Sequence, residues 1–372
     1  MFELKQNPMI VQDIIQQLET LAPLAYAEEF DNVGLLIGDK NTAVKGVLVT
    51  LDCLPEVVDE AVNNDCNLIV SFHPIIFKGL KSINGKTYVE RVVQKAIRND
   101  IAIYAIHTAL DNAFEGVNAG ICEVLDLKNK SILMPQTGTL KKLITYVPHA
   151  ESANLRSALF ELGVGAVGNY ENCSFNSEGL GTFKGNKESN PVLGNPSEMK
   201  QVEETKIEIT FAKHLEPVVL KTLFKTHPYE EVAYEIRTLE NKNQHIGMGM
   251  IGDLKSPMPE TDFLEFVKNK MKSAVIRHSK LLNKKIRKVA VLGGSGSFAI
   301  STAKSAGADA FISADLKYHD FFTAEDEILL MDIGHYESEQ YTKNLLVSYL
   351  KKKIPNFAIL LSKINTNPVK YK

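Results

Sequence analysis

Two residues near the end of the chain, His335 and Glu339, have the types and spacing of a metal-binding pair. They lie four positions apart in the segment MDIGHYESE at residues 331–339. Side chains at positions i and i+4 of a helix share one face, so an imidazole nitrogen and a carboxylate oxygen can reach the same point. Such donors bind divalent metal ions. The segment therefore predicts part of a metal site at the start of a helix.

Three further candidate ligands follow predicted strands in the N-terminal part of the chain. His73 follows the apolar run at 68–70, and His107 follows the run at 101–106, with Asp111 four positions later. Ligands in open α/β sheets bind beyond the carboxyl ends of the strands, so these side chains are expected at one sheet edge. Taken alone, such a histidine is usually a surface or satisfied core residue, and Asp111 equally fits a helix N-cap.

Other motifs leave two interpretations open. His319, in the segment at 315–320, is a candidate general base or a partner of a metal ligand, while Asp315 also fits a helix cap. Asp52 ends an earlier strand and either touches the site or caps the next helix. The loop GGSGS at 293–297 could cradle a phosphate with its backbone N–H groups. It lacks the lysine of a Walker A loop, and a plain tight turn explains it equally well.

No nucleophile of another kind stands out. The chain has no GxSxG motif and no cysteine in a recognisably activated setting. Catalysis is therefore assigned to a metal-bound water whose pKa the ion lowers towards neutrality.

Strand and helix patterns indicate how these residues are positioned. Alternation of apolar strands and helices over the first 110 or so residues predicts βαβ units and a largely parallel sheet. Near residue 140 the pattern changes to a compact βα…βαβ module of the ferredoxin-like kind, and the α/β pattern then returns. We therefore predict a core formed by residues 1–135 and 244–372, with an inserted domain at 136–243.

Composition limits the function classes. The 372 residues carry 42 basic and 45 acidic side chains, a net charge of −3, which does not favour nucleic acid binding. No apolar run reaches the roughly 18 residues of a membrane span, and the N-terminus lacks a signal-peptide layout. The four cysteines are scattered without a CxxC pair, which is typical of free thiols in a reducing cytoplasm.

Six stretches, in order along the chain, resemble the NIF-three-like family, whose bacterial members are called GTP cyclohydrolase 1 type 2 homologues. They are EFDNVGL at 29–35, SFHPIIFKGL at 71–80, HTALDN at 107–112, GGSGS at 293–297, DLKYH at 315–319 and GHYESE at 334–339. The segment at 136–243 also looks like the insert of long family members, which is similar to PII signalling and CutA-type domains. The resemblance implies an α/β core of mixed sheets flanked by helices, interrupted by an α+β insert.

The resemblance also implies a two-metal site. Carried over by position, His73 and Asp111 bind one ion, His335 binds the other, and Glu339 bridges both. His107 lies beside them. The ligand types admit Zn, Mn, Fe, Ni or Co, so one or two divalent ions of unassigned identity are expected.

One position departs from the family pattern, which usually has two adjacent histidines before the proline. Phe72 occupies the first position here, and its side chain offers no ligand atom. The ion assigned to His335 is then weakly bound, absent, or held through His107 or water.

The implied function is metal-dependent hydrolysis of a nucleotide or a related phosphorylated small molecule. His107 and His319 are the predicted catalytic residues, acting as proton carriers. The alternative is a metal-binding regulatory or ligand-sensing protein without turnover. The resemblance further implies a toroidal homohexamer, a trimer of dimers.

Overall fold

The computed structural model of this protein describes residues 8–372. The chain folds into two compact units. One consists of the described residues up to Pro135 together with Gln244–Lys372, and the other of Gln136–Asn243. Three sheets flanked by helices confirm the expected mixed α/β class.

The first unit contains a five-stranded sheet. Its strands are β1 (Gly34–Ile37), β2 (Val47–Thr50), β3 (Leu68–Ser71), β4 (Ala102–Ala105) and β15 (Ile359–Leu361). Their order is β1-β4-β3-β2-β15, with β1 antiparallel to β4 and the other neighbours parallel. Every residue of β2, β3 and β4 is buried, as expected for apolar parallel strands that are covered on both faces.

A six-stranded sheet completes the strands of this unit. They are β5 (Lys128–Gln136), β10 (Asn243–Pro259), β11 (Arg277–His278), β12 (Lys285–Ser295), β13 (Ala310–Ala314) and β14 (Leu329–Asp332). The order is β11-β14-β13-β12-β10-β5, and β12, β13 and β14 run parallel. Apolar residues of both sheets, such as Val70 and Ile312, belong to one core cluster.

Helices flank these two sheets. In the N-terminal segment they are α1 (Val11–Leu21), α2 (Pro55–Asn63), α3 (Tyr88–Arg98), α4 (His107–Asp111) and α5 (Val117–Val124). In the C-terminal segment they are α8 (Glu260–Lys270), α9 (Ile300–Ser305), α10 (His335–Glu339) and α11 (Thr342–Lys353). Within residues 8–372, no helix combines the length and the apolar character that crossing a bilayer requires.

Strand register explains which residues can meet. In the first sheet Thr50 is paired with Ser71, and Ser71 with Ala105, so β2, β3 and β4 end at the same level. In the second sheet Ser313 is paired with Asp332, so β13 and β14 also end together. Because the chain leaves parallel strands at their carboxyl ends, the segments that follow each strand gather at one edge of each sheet.

The core position of Phe263 on α8 supports a stability prediction. Its side chain is fully buried in the main cluster. Phe263→Ala is expected to lower the free energy of unfolding by about 3–5 kcal/mol, because a cavity replaces a packed ring. Urea unfolding of the full chain, followed by circular dichroism, measures the change. Glu265→Ala, at an exposed position of the same helix, should stay within about 0.5 kcal/mol.

The second unit has the element order strand, helix, strand, strand, helix, strand. The elements are β6 (Leu140–Pro148), α6 (Ser152–Phe160), β7 (Phe175–Lys184), β8 (Met199–Ala212), α7 (Glu216–Thr226) and β9 (Tyr234–Leu239). The sheet order is β7-β8-β6-β9, and all neighbours are antiparallel. Leu155 and Leu159 of α6 and Val219 and Leu223 of α7 pack with the sheet in a separate core cluster.

Candidate metal centre

Three side chains of the first unit converge on one point. His73 follows β3, and His335 and Glu339 are the first and last residues of α10. One donor atom from each lies within 4.8 Å of the others. Among residues 8–372, this is the one group of three or more His, Cys, Asp or Glu donors with such spacing. We call these three residues the triad.

The contacts within the triad suit a cation better than they suit hydrogen bonds. Glu339 Oε2 lies 3.2 Å from Nε2 of His73 and 3.2 Å from Nε2 of His335. The same oxygen is buried and makes no hydrogen bond. A buried carboxylate oxygen that accepts no hydrogen bond costs free energy unless a cation, either a metal ion or a protonated imidazole, lies against it. The donor set therefore fits a divalent metal ion held between the two imidazoles and the carboxylate.

Carboxylates on the far side of each ring orient the two imidazoles. His73 Nδ1 lies 2.8 Å from Asp52 Oδ1, and His335 Nδ1 lies 2.7 Å from Asp315 Oδ2. A hydrogen bond from Nδ1 leaves Nε2 as the atom with a free lone pair, directed into the triad. The sequence left open whether Asp52 and Asp315 contact the site or cap a helix. In the structure, both side chains contact histidines of the triad.

Charge within the triad is strongly coupled. Burial disfavours the charged form of His73 and lowers its pKa. The contacts of the ring with Asp52 and Glu339 have a larger effect, so the pKa of His73 is raised overall. The contact with Glu339 likewise raises the pKa of His335. Burial alone would raise the pKa of Glu339, yet the two imidazoles hold it well below its usual value. Without a metal, the triad is therefore stable as a carboxylate between imidazolium rings, and a bound cation would replace those protons.

Asp111 lies beside the triad as a second unsatisfied acceptor. Its Oδ1 is buried and has no hydrogen-bond partner. Burial, reinforced by the negative charge of Glu339, raises its pKa well above the usual range. Asp111 and Glu339 line the same cavity. A cation in this cavity would remove the cost of burying Asp111 as a carboxylate, which fits its predicted role as a ligand.

His107 also lies beside the triad. Its ring centroid is 5.2 Å from that of His73, and its Nδ1 lies 2.8 Å from Asp31 Oδ1. Asp31 also accepts a hydrogen bond from the backbone N of Thr108 at 3.1 Å. Sequence reasoning did not assign a role to Asp31, although it lies in one of the stretches that carried the resemblance. No local spacing connects it with His107, which is 76 positions away.

Phe72 occupies the interior beside these rings. It is fully buried, and its ring centroid is 4.9 Å from that of His73 and 5.5 Å from that of His107. The side chain therefore packs against two histidines and supplies no donor atom. This is the structural consequence of the departure seen in the sequence.

The two glycines at the end of β12 support Glu339. The N–H of Gly293 donates to Asn118 Oδ1 at 3.0 Å, and that of Gly294 donates to Ser338 Oγ at 2.9 Å. Gly294 has φ +67°, and a Cβ there would come within 2.5 Å of Glu339 Oε1. Both amides are already used, so these two glycines serve close packing rather than a phosphate.

His319 lies elsewhere on the surface. It is exposed within a short 3-10 segment, Tyr318–Ala324. Its ring lies 5.2 Å from that of Tyr318 and 6.1 Å from that of Phe322. It does not line the cavities that contain triad residues, so its catalytic role stays a prediction.

Two cavities border the triad. One has a volume of about 280 Å³ and contains His107, Asp111 and Glu339, with the exposed rings of Phe30 and Phe298 in its lining. The other, of about 570 Å³, contains Asp52, His73 and Tyr336 among others. His335 lines both cavities. A small molecule can therefore approach the triad from solvent.

The hydrogen bond that Asp315 accepts from His335 Nδ1 supports a prediction on metal affinity. Asp315→Asn should weaken divalent metal binding by about 10- to 100-fold, because the amide orients the His335 ring less firmly and makes it a poorer ligand. Competition with a chelator of known affinity measures the change. Asp326→Asn, which alters an exposed pair with Lys280, should leave the affinity unchanged. Equal affinity for both variants would contradict the role given to Asp315.

Comparison with known proteins decides the family. A family model described as Duf34/NIF3 (NGG1p interacting factor 3) matches residues 9–368. This chain belongs to the Duf34/NIF3 family. The resemblance inferred from the six stretches is thereby confirmed.

Curated relatives of this Duf34/NIF3 protein carry the name GTP cyclohydrolase 1 type 2 homolog. The Bacillus subtilis protein is 40% identical over 365 residues, covering 96% of this chain and 97% of the relative. The protein of Halalkalibacterium halodurans is 38% identical over 362 residues, with coverage of 96% and 97%. The similarity thus spans both units.

Solved structures agree with this family assignment. A Bacillus cereus protein related to NIF3 has 37% identity and a TM-score of 0.87, over 99% of this chain and 100% of the other. A Staphylococcus aureus protein has 33% identity and a TM-score of 0.79 over the same shares. The described fold is therefore the fold of known members.

Proposed function

We propose that this protein is a metal-dependent hydrolase that acts on a nucleotide or a related phosphorylated small molecule through a metal-activated water. The observation that carries the proposal is the triad, whose unbonded carboxylate oxygen lies between two oriented imidazoles beside a solvent-accessible cavity. The name GTP cyclohydrolase 1 type 2 homolog, carried by relatives 34–40% identical, supports a nucleotide as the substrate class.

Each residue has a defined part in this proposal. His73, His335 and Glu339 would hold the ion, and Asp111 would add a further oxygen. When bound, a divalent ion acts as a Lewis acid and lowers the pKa of water. His107, held at Nδ1 by Asp31, would exchange a proton with the substrate through Nε2.

The exposed rings next to the triad support recognition of a flat substrate. Phe30 is 66% exposed and Phe298 is 54% exposed, and both line the 280 Å³ cavity. Aromatic rings bind planar bases by stacking. The two rings are the proposed contacts of a nucleobase or a similar ring system.

A regulatory or ligand-sensing protein without turnover is the second candidate. Phe72 favours it, because a fully buried phenylalanine occupies a position where the family pattern places a histidine. A site with fewer ligands could keep an ion for structure or for ligand anchoring. Zn, Mn, Fe, Ni and Co all suit the histidine and carboxylate donors.

Metal content and turnover together test these proposals. The purified full chain is stripped with a chelator, reloaded separately with each of the five metals, and assayed for ions per chain and for hydrolysis of nucleotides, including GTP. One ion per chain with turnover supports the hydrolase and a site reduced by Phe72. Two ions per chain would overturn the effect assigned to Phe72. Retained metal without turnover of any nucleotide supports the sensor, and failure to bind any metal rejects both candidates.

We also propose that the second unit is a ferredoxin-like insert and that the protein assembles as a toroidal homohexamer, a trimer of dimers. The βαββαβ order and the sheet order β7-β8-β6-β9 support the first proposal. Family resemblance supports the second. Native mass spectrometry should give six chains per particle, and a monomer would exclude the ring.

A further inference from the structure

The second unit contains a cavity of its own, formed only by residues between 146 and 233. Its volume is about 400 Å³, and its walls come from β6, β7 and β8, the chain that follows β7, and the chain between α7 and β9. A volume of this size suits a small organic molecule. Metal ligation does not explain the cavity, because none of the triad residues belongs to it.

Most of the surface that lines this cavity is apolar. The rings of Phe183 and Tyr229 lie 6.0 Å apart with an interplanar angle of 59°, and Tyr146 also lines the cavity. Pro191 and Val192 add apolar surface from the chain after β7. Apolar walls favour a ligand with an apolar part. The faces of aromatic rings also attract cations.

Acidic side chains give the cavity its charge. Glu204, Glu230 and Glu231 line it, against one basic side chain, Lys184. Glu204 is partly buried, and its Oε1 accepts a hydrogen bond from the Tyr229 hydroxyl at 2.8 Å. The Tyr229 hydroxyl donates this hydrogen bond, so the contact holds the carboxylate against the aromatic wall.

A glycine on the neighbouring strand makes room for this carboxylate. A Cβ at Gly181 would overlap Oε2 and Cδ of Glu204. Any side chain at position 181 would therefore move the carboxylate. The position of Glu204 thus depends on a specific small residue of β7 in addition to the tyrosine.

We infer that this cavity binds a small organic cation, with its ammonium group at Glu204 and its apolar body against Phe183, Tyr229 and Tyr146. The combination of one oriented carboxylate with several aromatic faces recognises charge and apolar surface together. Exposed Glu230 and Glu231 strengthen the selection for positive charge. The inference does not depend on the proposed hydrolase activity.

Three probes of similar size separate charge from shape. Phenethylammonium is a cation, 2-phenylethanol is neutral and phenylacetate is an anion. Binding to the full chain is measured by saturation-transfer-difference NMR titration. We expect saturable binding of the cation, about tenfold weaker binding of the alcohol, and the weakest binding of the anion. No saturable binding of the cation, or equal affinity for cation and alcohol, overturns the inference.

Matched variants locate the binding. Glu204→Gln keeps the shape and an acceptor for Tyr229 but removes the charge, so binding of the cation should weaken about tenfold and its advantage over the alcohol should disappear. Glu203→Gln changes an exposed residue on the opposite face of the same strand and should have no effect. Equal effects of these two variants reject Glu204 as the recognising group.

A second variant guards against a folding artefact. Gly181→Ala retains every aromatic and acidic group but displaces the Glu204 carboxylate. Its affinity for phenethylammonium should fall about as far as that of Glu204→Gln, while circular dichroism stays unchanged. Folded Gly181→Ala protein with wild-type affinity would show that the position of Glu204 is irrelevant and would overturn the inference.

Discussion

Replacing Glu339 with glutamine is expected to lower the affinity for divalent metal by roughly 100-fold or more. Removal of a group that only orients a ligand already costs 10- to 100-fold, and Glu339 is itself a proposed ligand. In the wild type, both imidazole Nε2 atoms lie 3.2 Å from Glu339 Oε2. In the variant, an amide oxygen, which is a weaker metal ligand, or an N–H group takes the place of that oxygen. Elemental analysis after dialysis and titration against a chelator measure the loss, and any hydrolysis should fall with it.

The neighbouring carboxylate provides the control for this experiment. Glu337 lies on the same short helix, is also buried, and accepts a hydrogen bond from Asn367 at 3.0 Å. Glu337→Gln retains an oxygen for this bond and lies outside the triad, so its metal content should equal that of the wild type. Metal bound at full affinity by Glu339→Gln would remove the triad as the metal site.

Gly294→Ala is expected to have a comparable effect on metal binding without removing any donor atom. Its Cβ would lie 2.5 Å from Glu339 Oε1 and 3.4 Å from His335 Cε1, so the carboxylate must leave its place. Left-handed backbone at φ +67° adds a conformational cost of about 1 kcal/mol for alanine. We expect metal affinity to fall by roughly 100-fold, measured by the same titration.

A second glycine distinguishes the steric displacement of Glu339 from the cost of a left-handed backbone. Gly307 has φ +72°, but a Cβ there meets no other atom within 4 Å. Gly307→Ala should therefore lose a similar amount of stability and keep its metal affinity. If both variants lost metal equally, backbone strain alone would explain the effect and the steric argument for Gly294 would fail.

Much of the fold could be predicted because local patterns carried it. Apolar strands alternate with helices from β2 to β4, which is the sequence pattern of a parallel sheet. The structure contains this parallel sheet. Strand β10, Asn243–Pro259, was not foreseen. It contains Gly247, Gly249 and Gly252, which weaken strand propensity, and its pairing with β12 is a tertiary contact.

The sequence named the candidate donor residues, but it did not show which carboxylates orient them. Residue type, the i,i+4 spacing of His335 and Glu339, and positions after strands placed the three triad residues among the candidates, together with His107 and Asp111. For the glycine segment at 293–297, the sequence left a phosphate cradle and a plain tight turn open. Only the structure shows that the amides of Gly293 and Gly294 bond to Asn118 and Ser338.

By itself, the sequence determined the donor types, the strands that carry them and the family to which the chain belongs. The tertiary structure decided that His73 and the α10 pair share one point, because two sheets of the same unit bring their carboxyl ends together. It also decided which carboxylate holds each imidazole: Asp31, Asp52 and Asp315 lie 76, 21 and 20 positions from their histidines. Hydrogen-bond partners at such separations are set by how the chain packs, and no local pattern encodes them.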